Sequence, residues 1–250
     1  MRPATKNDLG FTLMTIVIIL VKHAVAYLLH EYAHSFAAWA AGYMPNPLAL
    51  DYGGLTPGNL VLLSDVGDNV PYDAIRAGGH GLAAAGIALA GPYVGNALVY
   101  VLLYAFAGRL RSQGVVVASV TFWLMLMCVG NVWSYVPIRA ITTHADIAIA
   151  AGGLHIGVLT LFPLLLVPSL IVIGHFFSEA CPLLIPAIAP GATARTAVVV
   201  TLTSLWFFAF FGGAGMSGSY GPVSQIFSLV SELLLLPLAA LSLWDRCCRA

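Results

Sequence analysis

A chain of 250 residues that is 60% hydrophobic and only 8% charged lies far from soluble domains, which are about 45–50% apolar and about 25% charged. Its mean hydropathy of +0.94 points instead to a helical protein that crosses a bilayer several times. Zero formal net charge and the lack of any basic patch leave no basis for binding nucleic acid.

The N-terminal run "MRPATKNDLGFTLMTIVIIL" is basic and then apolar, like a signal peptide. No small-residue cleavage site follows, so an uncleaved first helix is expected. Six spans are predicted in order: Phe11–Ala41, Gly81–Ala107, Val115–Val136, Ile147–Phe177, Thr196–Gly212 and Val223–Leu243. In hydrocarbon every backbone polar group must be satisfied within the protein, and these runs are too long for period-two barrel strands. The predicted fold is therefore all-α and polytopic, with kinks at Pro163 and Pro168 of the fourth span.

Residues 43–79 break the pattern with Pro, Gly and Asp around a β-like run, Asn59–Leu63. They read as an irregular or hairpin-bearing insert within one integral-membrane domain, residues 1–250. With six spans, Arg2, Lys6, Arg109, Arg111, Arg195, Arg246 and Arg249 share one side, against Arg76 and Arg139 on the other. That bias predicts a multi-pass protein of the cell (inner) membrane with both termini in the cytoplasm. Cys128, Cys181, Cys247 and Cys248 form no Cys-x-x-Cys pair, which argues against a disulfide framework or a thiolate metal site.

Within the first span stands "HEYAH", residues 30–34. On a helix His30 and His34 lie one turn apart on one face and can grip one zinc ion, with Glu31 beside them as general base for an activated water. With 7 His and 3 Glu, chance yields such a motif in on the order of one in several hundred chains. A chance motif would also have to bear the cost of three polar groups inside a span. A catalytic zinc site needs a third protein ligand, and His144 and Asp146, just before the fourth span, lie at the predicted level of His30. His23, His80, His155 and His175 read individually as hydrogen-bonded bundle histidines.

"HEYAH", followed by "AGPYVGN" (90–96) and "NVWSYVPIRAITTHAD" (131–146), resembles the site-2 protease family of intramembrane zinc metalloproteases. The motifs lie within about half of the chain. The resemblance implies His30, His34 and Asp146 as metal ligands, one zinc per chain, Glu31 as base, and Asn131 as a substrate-positioning or oxyanion group. It implies regulated intramembrane proteolysis, with a transmembrane helix of a membrane protein as substrate. Two spacings depart from the family's usual pattern. Asn96 follows Pro92 by four residues, not three, and Asp146 follows Pro137 by nine without the usual glycine after it.

A substrate helix must unwind before attack, and the Asn59–Leu63 run offers an edge to hold it by strand addition, unless the insert is a plain surface loop. The rival functions are a non-proteolytic zinc-binding membrane protein, either transporter or scaffold, and a membrane lipid hydrolase. The chain shows no repeated halves of the transporter kind.

Overall fold

The computed structural model describes residues 6–248; Arg2 and Arg249, counted in the charge bias, lie outside the described residues. Six helices are long and apolar enough to cross a membrane: Asp8–Ala40, Gly81–Arg111, Val115–Ile138, Val158–Ile188, Thr193–Met216 and Gly218–Cys247. The described residues contain no β-strand, so the chain is an all-α polytopic membrane protein. Span three is the spine, with 72% of its most apolar stretch buried, against 17% for spans four and six. Spans one, two, four and five pack around it. Its aromatic side chains Phe122 and Trp123 join Phe176 and Phe207 in the main core.

Span one ends where Gly42 takes the left-handed conformation, φ 82. Its N–H bonds to the Trp39 carbonyl and the Tyr43 N–H reaches back to Ala38, which closes the free carbonyls of the last turn. The following insert carries two short helices, Pro57–Leu62 and Tyr72–Ala77, and one antiparallel bridge between Asp51 and Gly67. The expected β-like run at Asn59–Leu63 is thus corrected to a helical turn. Thr56 Oγ1 caps it by accepting from the Asn59 N–H at 3.1 Å, Pro57 fits its first turn, and Leu63 stops it at φ 55. There is no strand edge at Asn59–Leu63 to which a peptide could add.

The insert does not stay at the end of span one. It descends along that helix until the Tyr27 hydroxyl donates to the Val66 carbonyl at 3.0 Å and His23 Nε2 donates to Leu62 at 3.0 Å. His23 lies about 25 Å along the axis from Ala40 at about 1.5 Å per residue. Irregular backbone at such depth needs internal partners. Asn59 supplies them, donating to the Tyr52 and Gly54 carbonyls and accepting from the Asp65 N–H.

The fourth span also departs from expectation. The predicted helix Ile147–Phe177 is two helices, Asp146–Gly153 and Val158–Ile188. The break falls at Gly152–Gly157, where His155 has φ 56. Gly153 packs backbone to backbone on Gly81, where a Cβ on either would overlap the other's carbonyl. Two glycines thus seat the short helix against the start of span two and leave Asp146 at its first turn.

Candidate metal centre

His30 and His34, one turn apart on span one, are both 1% exposed, and Glu31 between them is 6% exposed. His30 Nδ1 lies 2.8 Å from Asn96 Oδ1, and His34 Nδ1 lies 2.8 Å from the Ile87 carbonyl. Carbonyl oxygens only accept, so His34 carries its proton on Nδ1. Asn96 donates through Nδ2 to the Ala26 carbonyl at 3.1 Å, which turns its oxygen to His30 and puts that proton on Nδ1 as well. Both Nε2 atoms are left as bare acceptors.

The two Nε2 atoms stand 3.1 Å apart, and Asp146 Oδ2 lies 3.1 Å from His30 Nε2 and 3.5 Å from His34 Nε2. Three acceptors this close repel one another unless a positive charge, a proton or a metal ion, lies among them. Metal bonds of about 2.0–2.2 Å in a tetrahedron give edges of about 3.3–3.6 Å, within a few tenths of an ångström of this triangle. The residues fit a small tetrahedral cation. Burial alone would raise the Asp146 carboxyl, but, with a proton on the facing imidazoles, His34 and His30 outweigh it and hold the group below the usual carboxylate range.

Span two makes room for the triangle. A Cβ on Gly91 would overlap both Nε2 atoms. From Gly91 to Leu98 the helix widens into π turns, a feature that recurs at functional sites. The four-residue step from Pro92 to Asn96 lies inside this wide turn, and Asn96 still reaches His30.

His144 is not part of the triangle. It is exposed, stacks on Tyr220 with centroids 4.8 Å apart, and contacts Thr142 Oγ1 at 3.2 Å. Asn131 lies beside Asn96 with its Nδ2 3.4 Å from the same Ala26 carbonyl. His23 sits among Trp206, Phe210 and Phe211, and His175 bonds Tyr100 at 2.6 Å.

Sequence reasoning missed Asp68. Its carboxylate accepts from the Tyr72 hydroxyl at 2.8 Å and approaches His34 Nδ1 at 3.9 Å, so Glu31, His34 and Asp68 form a second close group. Only the fold of the insert brings it there. Tyr135, whose ring lies 4.1 Å from that of His30, was also missed, although it sits inside the third motif. No protein-family model, curated protein or solved structure matches the chain.

Proposed function

We propose that the protein is an intramembrane zinc metalloprotease that hydrolyses a peptide bond in or near a transmembrane helix of a membrane-protein substrate. The observation that carries this reading is the convergence of three bare acceptors, from His30, His34 and Asp146, beside a buried carboxylate that stays off their triangle. Two imidazoles and one carboxylate suit zinc, and three protein ligands leave its fourth position open. Zinc bound there supplies Lewis-acid polarisation and lowers the pKa of water to about 7.

The remaining work falls to the chain. Glu31 takes the proton from the attacking water and passes it to the leaving amine. Asn131 Nδ2, at the long limit of a hydrogen bond to Ala26, has donor capacity for the developing oxyanion. Asn96 and Ile87 keep the two imidazoles in the tautomer that presents Nε2. A transporter or scaffold would use the ligands and give Glu31 no task.

The test is Glu31→Gln in the full chain, reconstituted with a membrane-helix substrate. The variant is expected to hold zinc at wild-type stoichiometry, about one per chain, and to lose cleavage by about 10²–10⁴-fold. Cleavage near the wild-type rate overturns the mechanism. Hydrolysis of lipid and not of peptide assigns the site to a lipid hydrolase.

A further inference from the structure

The Tyr135 ring packs on the imidazole of His30 with centroids 4.1 Å apart and planes 31° from parallel. The guanidinium carbon of Arg139 lies 4.2 Å from the centroid of the same ring. Two groups that near one centroid cannot share a face, so the phenol is clamped between imidazole and guanidinium. Arg139 is itself held on two sides. Its Nε donates to the Ser134 carbonyl at 3.2 Å, and an Nη donates to the Tyr220 hydroxyl at 2.9 Å, with the Tyr220 ring 5.0 Å away. A column of planar groups thus links span one, the end of span three and the start of span six.

We propose that Arg139 is a positioning residue for the metal centre: it clamps Tyr135 against His30 and so fixes the plane of that imidazole. The inference rests on the reading of His30, His34 and Asp146 as metal ligands. The bond from His30 to Asn96 sets one direction in the ring plane but still lets the ring tilt about it. Packing on its face removes that tilt, and ligand orientation governs metal affinity. The guanidinium suits the task because it is planar, permanently charged and able to stack while it donates.

The experiment uses the full chain in detergent, with zinc affinity measured by chelator competition and cobalt absorption as a report on ligand geometry. Arg139→Met and Tyr135→Leu are each expected to weaken zinc about 10–100-fold and to alter the cobalt spectrum. Arg139→Lys keeps the charge without the planar fork and is expected to weaken zinc about tenfold. Tyr135→Phe keeps the ring and restores what Tyr135→Leu loses. The double variant Arg139→Met/Tyr135→Leu binds no more weakly than Tyr135→Leu alone, because both act through one contact. Wild-type affinity and spectrum in Arg139→Met and Arg139→Lys overturn the proposal. A wild-type chain that binds neither metal, or binds it unchanged after His30→Ala, overturns the metal reading on which the proposal rests.

Discussion

Asp146 opens its helix 3.1 Å from His30 Nε2, while His144, two positions earlier, turns to Tyr220. Residues two apart on a helix point about 200° away from each other, so they cannot both face one ion once the helix has begun. Asp146→Ala is expected to weaken zinc binding about 10²-fold or more and to abolish cleavage, because the triangle of Nε2 atoms then loses the one carboxylate that faces it. His144→Ala is expected to keep zinc. Metal analysis of both purified variants checks this, and the reverse outcome hands the third position to His144. The pairing of His30 with His34 was legible in the sequence, since four residues return a helix to the same face. Asp68 was not, because nothing in its neighbourhood of the chain says that the insert folds back to that depth.

Two helical elements decide whether the triangle has room. Gly91 on span two faces both Nε2 atoms, and a methyl group there would occupy the space of the ion. Gly91→Ala is therefore expected to lower zinc affinity by about 100-fold or more without unfolding the span, since alanine favours helix. Wild-type zinc affinity in chelator competition would contradict the placement of the site. The span limits were legible because hydropathy records burial in lipid, and the first three spans begin and end within a few residues of their expected limits. The start of the fourth was misread, because the apolar run continues through Gly152–Gly157 while the backbone turns there. Hydropathy carries no information about such a turn. The Asn59–Leu63 run misled for a related reason. Its residue types favour a strand, but without a neighbouring strand the Thr56 cap and Pro57 set the local structure.

At the scale of the whole molecule, the Lys/Arg bias predicts that both termini lie in the cytoplasm. Cysteine labelling from either side of the membrane, at residues 2 and 250, should find both on the cytoplasmic face. An outside label at either end would overturn the span count or the orientation. In that arrangement His30 lies about 15 Å in from the outer end of span one. The proposed hydrolysis consumes one water molecule per turnover, and apolar helices do not conduct water to such a depth. The insert breaks the apolar wall there. Leu55, Leu60 and Val61 are exposed on its surface, and the buried Asn59 side chain ties together the exposed residues Tyr52 and Gly54 through their carbonyls. Water is therefore expected to enter along this polar seam. Amides between Asp51 and Gly67 that lie outside its helix and bridge should exchange with deuterated solvent far faster than those of span one at the same level. Sealing the seam would stop the reaction by drought, with the metal still in place.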